Sequence, residues 1–314
     1  MTAPVLDTDL DRAWEAVTRH LAPTPLIPFH HAGLDVPVYL KYEGAQPVGS
    51  FKIRGAIAAL TAYAGQPVVT ASVGNHAQGI AYAAGLLSVD ATVVVPTSAA
   101  RVKIEALRRY PITLVLEGDD FDGAERHALD LATAGGQYVS AYNDLHVIAG
   151  QSTLLTEVAA DLAEDFTVVV PAGGGGLLSG VALAARRASQ DVRVIGVEAA
   201  ACRALSTAVS TGHVVSVPMG ETIADGLDGN LEPTSATPGI VRDCGVAMVS
   251  VPEETIRRSV RELVATAGLV AEGASATTLA ALREGLVPAD RPIVLVVSGR
   301  NIGLDLLATI LGEP

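Results

Sequence analysis

The chain contains three lysines, Lys41, Lys52 and Lys103, against eighteen arginines. A lysine amine freed of its proton can attack an aldehyde or carbonyl and form a Schiff base, whereas an arginine cannot, so few groups here can do that chemistry. Lys52 stands out by its setting, Gly49-Ser50-Phe51-Lys52-Ile53-Arg54-Gly55-Ala56, in which a Gly-Ser turn runs into a helical stretch. Taken alone it reads as a solvated lysine at a helix start. Its company changes that reading. After the apolar run Val168-Val169-Val170-Pro171-Ala172 come four glycines, Gly173, Gly174, Gly175 and Gly176, and then Leu177-Leu178-Ser179-Gly180 in helical sequence. A strand, a glycine loop and a helix start let backbone N–H groups converge on a phosphate, with the helix dipole stabilising its charge.

Two more polar loops follow apolar runs. Ser72-Val73-Gly74-Asn75-His76-Ala77-Gln78-Gly79 places polar side chains and backbone donors where a carboxylate could be held. Taken singly, His76 reads as a structural hydrogen-bonding group and Asn75 as a turn residue. Val297-Ser298-Gly299-Arg300-Asn301 offers a hydroxyl in a glycine-containing loop. A dinucleotide fingerprint fails on spacing, because a Gly-x-Gly-x-x-Gly frame begun at Gly173 needs glycine at Leu178, and one begun at Gly174 needs it at Ser179. A P-loop fails because no lysine follows the glycines. The phosphate expected is a single one, on a small cofactor.

These loops require strands to aim them. Short β-branched runs at Pro67–Ala71, Ala91–Val95, Ile112–Leu116, Thr167–Val170, Val192–Val197 and Ile293–Val297 alternate with Ala-rich helical sequence such as Gln78–Leu87. That alternation predicts parallel sheets wound with helices, whose ligands bind beyond the carboxyl ends of the strands. Pro218–Pro238 reads as a long ordered loop. With 49% hydrophobic but only 4% aromatic residues, the core is expected to be aliphatic. A net charge of −13 supplies no attraction for nucleic acid or an anionic membrane. Cys202 and Cys244 form no disulfide framework or metal-ligand cluster, and a cytoplasmic setting fits. Met1–Ala16 mixes acidic and apolar positions unlike a signal peptide, and no apolar run suggests a membrane span.

Several of these motifs recur in order in a known group. Lys41-Tyr42-Glu43, Gln46–Ala56, Ser72–Gly79, Val147-Ile148-Ala149-Gly150-Gln151, Gly173–Gly176, Thr222-Ile223-Ala224-Asp225-Gly226 and Ser298-Gly299 with Asn301 give a chain that resembles, over nearly its full length, the threonine dehydratase and serine racemase family of fold type II pyridoxal-phosphate enzymes. The resemblance implies an α/β architecture of two doubly wound domains with pyridoxal 5′-phosphate in the cleft between them. The large cofactor-binding domain is expected at 1–66 and 146–314, and the small substrate-binding domain at 67–145. It also implies that Lys52 carries the cofactor as a Schiff base and is the catalytic base, that Phe51 packs against the ring, and that Asn75 contacts the ring hydroxyl. Gly173 to Gly176 with Leu177 would bind the phosphate and Ser298 the pyridine nitrogen, while Ser72, Val73, Asn75 and His76 would meet the substrate.

The activity so implied is β-elimination from L-threonine or L-serine to a 2-oxo acid and ammonia, steps that call for no metal. In the racemases a serine directly before Gly-Asn-His resembles the second acid; here that position is Val73, which carries no proton to deliver, so dehydration with little racemisation is expected. Arg300 stands where the family usually has a small residue. A bidentate contact to a second substrate carboxylate keeps 3-hydroxyaspartate as an alternative substrate, and racemisation remains an alternative reaction. Glu198 lacks the further acid that metal-assisted relatives carry at Ala199–Leu205. A nicotinamide-dependent oxidoreductase, resting on the glycine loop and Glu198, and a non-catalytic binding protein are the rival classes; the first leaves Lys52 and Ser298 unexplained. The expected partners are a small amino-acid substrate and further copies of the chain, most simply as a dimer, without nucleic acid or membrane. The sequence closing soon after the Ser298 loop leads us to expect no appended regulatory domain.

Overall fold

A computed structural model of the chain describes residues 4–31 and 33–313. Met1–Ala3 at the head of the amino-terminal stretch, residue 32 and Pro314 lie outside the described residues. The strands are β1 (Leu26–Phe29), β2 (Val38–Tyr42), β3 (Val68–Ala71), β4 (Ala91–Val95), β5 (Thr113–Leu116), β6 (Gln137–Tyr138), β7 (Phe166–Pro171), β8 (Val192–Ala199), β9 (Ala247–Val251) and β10 (Ile293–Val297). The helices are α1 (Asp7–Thr18), α2 (Lys52–Ala62), α3 (Asn75–Leu87), α4 (Arg101–Leu107), α5 (Phe121–Thr133), α6 (Leu145–Asp161), α7 (Gly176–Ala185), α8 (Ala204–Thr211), α9 (Thr237–Asp243), α10 (Glu253–Ala267), α11 (Gly273–Arg283) and α12 (Leu304–Leu311).

The first compact unit takes in Ala22–Phe51 and the chain from Leu154 onward. Its six-stranded sheet runs β1-β2-β10-β7-β8-β9 and is parallel throughout except where β1 pairs antiparallel with β2. Strand β10, Ile-Val-Leu-Val-Val, is buried at all five positions, which is why it reads as an unbroken apolar run rather than an alternation. Helix α11 packs on β7, β8, β9 and β10, and its Ala276, Leu279 and Ala280 join Leu40, Val169, Val197 and Leu295 in the core.

The second unit comprises Lys52–Thr153 together with α1. Its four parallel strands run β5-β4-β3-β6. Helix α5 lies over β3 and β4, burying Ala124 and Ala128 against Val69, Ala71 and Val94. Contacts therefore group α1, α2 and the first part of α6 with this sheet, whereas the domain ranges expected from sequence put 1–66 and 146–153 with the other. Each unit is the layered α/β arrangement that the alternation of runs implies.

All six strands read from sequence are present. Strands β1, β2, β6 and β9 were not among them. β1 is four residues long and contains Pro28, and β6 has two residues. In β2, Lys41 interrupts the apolar pattern yet is completely buried. Its ammonium donates to Glu157 Oε2 at 2.6 Å and to the Thr24 carbonyl at 2.7 Å. The Thr24 hydroxyl in turn donates to Glu43 at 2.6 Å. Pro218–Pro238 is irregular apart from one 3-10 turn at Asp225–Leu227, as expected of an ordered loop, until α9 starts at Thr237. Among the described residues no helix is long and apolar enough to cross a membrane.

Removing one partner of a buried ion pair strands the other charge, which costs about 3–5 kcal/mol. Lys41→Met is expected to lower unfolding stability by about that amount in chemical denaturation, and adding Glu157→Gln to recover much of it. An unchanged midpoint for Lys41→Met alone would show that the pair contributes nothing.

Candidate active site

In the first unit the loops read from sequence converge. The turn before Lys52 is joined to the loop after β10 by three hydrogen bonds: Phe51 N–H donates to the Ser298 carbonyl at 3.0 Å and Arg300 N–H to the Gly49 carbonyl at 2.9 Å, which together make an antiparallel bridge between Ser50 and Gly299, and Asn301 Nδ2 donates to the Val48 carbonyl at 2.8 Å. Gly49 has φ +73°, and a Cβ on it would fall 2.6 Å from Asn301 Oδ1, so both backbone angle and space require glycine. Next along is α11. A Cβ on Gly299 would meet Glu272 Oε1 at 2.8 Å, and Glu272 N–H donates to the Gly299 carbonyl. The segment after Thr222 follows, since a Cβ on Gly226 would sit 3.3 Å from Ala274 Cβ and one on Gly173 would sit 2.8 Å from Leu227 Cα. The glycine loop, the Thr222–Gly226 motif, the start of α11, the Ser298 loop and the turn ending at Phe51 thus form one continuous packed set.

Ser298 is buried, and its hydroxyl lies 3.0 Å from that of Ser275. Ser275 Oγ accepts from Gly299 N–H at 2.7 Å and has one proton, which can go to the Gly299 carbonyl at 2.8 Å or to Ser298. Given to Ser298, that proton leaves the Ser298 hydroxyl proton available to a neighbouring acceptor. Nothing in the sequence marked Ser275, which reads as an ordinary small helix residue.

The glycine loop behaves as its composition suggests. Gly175 adopts φ +85° at the N-cap of α7, supplies no side-chain cap, and no acid sits in the first turn. The intrahelical ladder begins with Ser179 N–H on the Gly175 carbonyl, leaving the N–H groups of Gly176 and Leu177 ahead of it directed along the axis. The Gly174 carbonyl accepts from Thr237 Oγ1 at 2.7 Å.

In the second unit Lys52 is the first residue of α2, half-buried, and its Nζ donates to the Ala141 carbonyl at 2.8 Å. Ala141 was invisible to sequence reasoning because the contact is made by backbone. Two close crossings fix α2. On α3, a Cβ on Gly79 would lie 3.2 Å from the Lys52 carbonyl carbon; on α6, a Cβ on Gly150 would lie 2.6 Å from the Arg54 carbonyl oxygen. Arg54, wholly buried, donates to Thr153 Oγ1 at 3.1 Å. The start of α3 lies one turn before the Gly79 contact, so Lys52 and the Ser72–Asn75 loop share one end of the α2–α3 pair.

Ser72, Val73 and Asn75 are half-exposed in that loop, and Gly74, the N-cap, faces open space. The Ser72 hydroxyl accepts from Gly74 N–H at 3.3 Å. His76 turns the other way. It is 3% exposed, its Nε2 lies 3.0 Å from Thr70 Oγ1 and 3.2 Å from the Val139 carbonyl, and its Nδ1 is buried without a partner. Burial first, and then the Lys52 charge, lower its pKa to about 3. A neutral imidazole therefore props the loop from below.

A family model for pyridoxal-phosphate dependent enzymes matches residues 17–299. The chain belongs to that family. L-Threonine ammonia-lyase of Geobacter sulfurreducens is 36% identical over 312 residues, which is 97% of this chain and 77% of that protein. Among solved structures, maize serine racemase superposes with a TM-score of 0.88 at 27% identity, over 98% of this chain and 97% of its own. A threonine deaminase from tomato, Solanum lycopersicum, in its processed form, gives 0.87 at 30%, over 96% of this chain and 86% of its own.

The residues present fit the cofactor of this family of pyridoxal-phosphate enzymes. The α7 start has N–H groups and no acid to repel a phosphate, the Ser298 hydroxyl is backed by Ser275, and Lys52 presents an amine held by a carbonyl. Two other groups are committed elsewhere. Glu198 Oε1 accepts from the Leu205 and Ser206 N–H groups at 2.9 and 3.1 Å, capping α8, which occupies the acid that a ribose site would need. Burial pushes its carboxyl up and those hydrogen bonds pull it down. Arg300 is exposed, with its side chain along Gly49, and its charge works against the burial that raises the Tyr42 hydroxyl. Among the described residues no His, Cys, Asp and Glu side chains group as a metal would need.

His76 yields a pH prediction. Folded imidazole refuses a proton that the unfolded chain takes up below about pH 6.5, so stability is lost as pH falls from there toward 3. His76→Gln is expected to flatten that loss in denaturation series at successive pH values, and a curve parallel to wild type would contradict the assignment.

Proposed function

We propose that the protein eliminates water from a β-hydroxy amino acid, L-threonine or L-serine, releasing a 2-oxo acid and ammonia. The observation that carries the reading is the placement of Lys52, a half-buried amine at a helix start held by the Ala141 carbonyl, in a chain of this family. Bound pyridoxal phosphate supplies the sink for the electrons of the Cα–H bond. Lys52 would hold it covalently and would serve as the general base for the substrate Cα proton. Gly173 to Gly176 and Leu177 would hold the phosphate through backbone N–H groups, Phe51 would cover the ring, and Asn75 would meet the ring hydroxyl. Ser72, Asn75 and the backbone at the α3 start would orient the substrate carboxylate, with His76 as their support.

Ser298 would offer the ring nitrogen a neutral hydroxyl. A hydroxyl would keep a proton on that nitrogen less firmly than a carboxylate, which would favour elimination over racemisation. The enamine released hydrolyses in water to the oxo acid and ammonia. Val73 lines the same loop as Ser72 and carries no proton, so the face opposite Lys52 has no acid from this position. We place this activity in the cytoplasm, on the strength of two free cysteines, Cys202 and Cys244.

A second reading, 3-hydroxyaspartate as substrate, draws on Arg300, whose guanidinium stands beside the turn that leads to Lys52. Oxo-acid release measured with threonine, serine and 3-hydroxyaspartate decides between them. We expect turnover of threonine or serine, with preference unchanged in Arg300→Gly; selective loss of hydroxyaspartate turnover in that variant would favour the second reading, and no oxo acid from any of the three would overturn both. For Val73, the wild type is expected to leave L-serine without D-serine on chiral chromatography, and Val73→Ser to produce some. Rapid interconversion by the wild type would remove the argument from Val73.

A further inference from the structure

Helix α2 grips the stretch between β6 and α6 at both of its ends. Its first residue, Lys52, donates from Nζ to the Ala141 carbonyl at 2.8 Å. Tyr63, the residue after its last, donates from the hydroxyl to Asp144 Oδ2 at 2.8 Å. The two acceptors lie at the start of the turn Ala141–Asn143 and directly after it.

That turn is anchored ahead, within and behind. Ahead of it, Val139 N–H donates to the Val69 carbonyl and the Thr70 hydroxyl donates to the Val139 carbonyl, both at 2.8 Å, which ties its entry to β3. Within it, Asn143 N–H donates to Ser140 Oγ at 3.2 Å. Behind it, Asp144 is buried and caps α6, its Oδ1 accepting from the His146 and Val147 N–H groups at 2.8 and 3.0 Å. The cap uses Oδ1, so the Tyr63 bond to Oδ2 is an addition that ties the cap to α2. The Tyr63 ring also stands edge-on to that of His146, with 5.1 Å between centroids. Burial first, and then the charge and hydrogen bond of Asp144, push the Tyr63 hydroxyl above the ordinary phenol range, so it stays a donor at and well above neutral pH.

A carbonyl accepts a stronger hydrogen bond from an ammonium than from a neutral amine, so where the Ala141 carbonyl points sets how readily Lys52 gives up a proton. We propose that Tyr63 and Asp144 are positioning residues for the reactive amine: their hydrogen bond fixes the turn against α2, the turn holds the Ala141 carbonyl on Lys52 Nζ, and that contact sets the proton affinity of the amine. As a statement about catalysis the inference rests on the reading of Lys52 as the base. As a statement about the amine it stands on the geometry of the second unit.

The test is the pH profile with which trace acetic anhydride labels Lys52 in the full chain before cofactor is loaded, the state in which its amine is free to react. Labelling is read by mass on the Lys52 peptide, with the peptide of Lys103, exposed on α4, as reference and circular dichroism as the check on folding. The plateau of the profile reports access to the amine and the midpoint reports its proton affinity, so loosening and retuning are told apart. In Tyr63→Phe, which keeps the ring against His146, the midpoint is expected to fall by about half a pH unit, because the ammonium loses more than the neutral amine when the carbonyl drifts. Asp144→Ala is expected to lower it at least as far, and adding Tyr63→Phe to that variant to change nothing further, since both act through one bond. Tyr138→Phe, which gives up a 2.8 Å bond to Glu125 elsewhere in the same unit, is expected to leave the midpoint where it is. A midpoint unmoved in folded Tyr63→Phe, one moved as far by Tyr138→Phe, or effects of Tyr63→Phe and Asp144→Ala that add in full overturns the proposal; should Asp144→Ala not fold, the two tyrosine variants decide. A wild type that releases no oxo acid while the midpoint still falls in Tyr63→Phe overturns the proposed reaction and leaves the positioning standing.

Discussion

The hydrogen bond from Phe51 N–H to the Ser298 carbonyl is the constraint on which the first unit's loops depend. It ties the residue before Lys52 to the residue that follows β10, the fully buried centre of the six-stranded sheet. Because β10 is held by β2 on one side and β7 on the other, the Ser298 loop inherits the rigidity of the sheet. The turn Val48–Phe51 inherits it in its turn through Gly49, Asn301 and the Ser50–Gly299 bridge. Gly49, Gly173, Gly226 and Gly299 then read as one device. Each leaves out a Cβ where a neighbouring backbone or side chain comes within 3.3 Å of the place it would take.

An acidic chain that binds an anionic cofactor faces a general electrostatic penalty, which it can meet only locally. The glycine loop offers such a local setting without a basic side chain, since N–H groups stand at the start of α7 and no acid sits in its first turn. The same economy explains the lysines. Lys41 is consumed by a buried pair that shapes β2, whereas Lys52 stands half-buried at the start of α2 with its amine on the Ala141 carbonyl. His76, adjacent in sequence to Asn75, is likewise consumed by the second unit's interior, where its neutrality lets it sit near the Lys52 charge.

Much of this was legible in the sequence, and the reasons differ by element. The strands feeding the site are continuous apolar runs ended by Gly, Ser or Pro, so β3, β7 and β10 and the loops after them could be read directly. β2 could not, because a buried charge inside a strand resembles a surface position until Glu157, far along the chain, is placed beside it. Ser275 and the Ala141 carbonyl were hidden for a related reason: one is a small residue in an Ala-rich helix, and the other acts through backbone that every residue shares. The direction in which His76 points was equally beyond a motif, since Thr70 lies in β3 and Val139 just beyond β6, the strand paired with it.

The most direct test of the central claim, that Lys52 holds the cofactor, is to load the protein with pyridoxal phosphate, reduce it with borohydride and map the peptides by mass. The account predicts a visible absorbance band that disappears on reduction and a stable mass increase on the peptide containing Lys52, absent in Lys52→Ala. A label on a peptide carrying Lys41 or Lys103 instead, or no uptake of the cofactor by a folded protein, would contradict it.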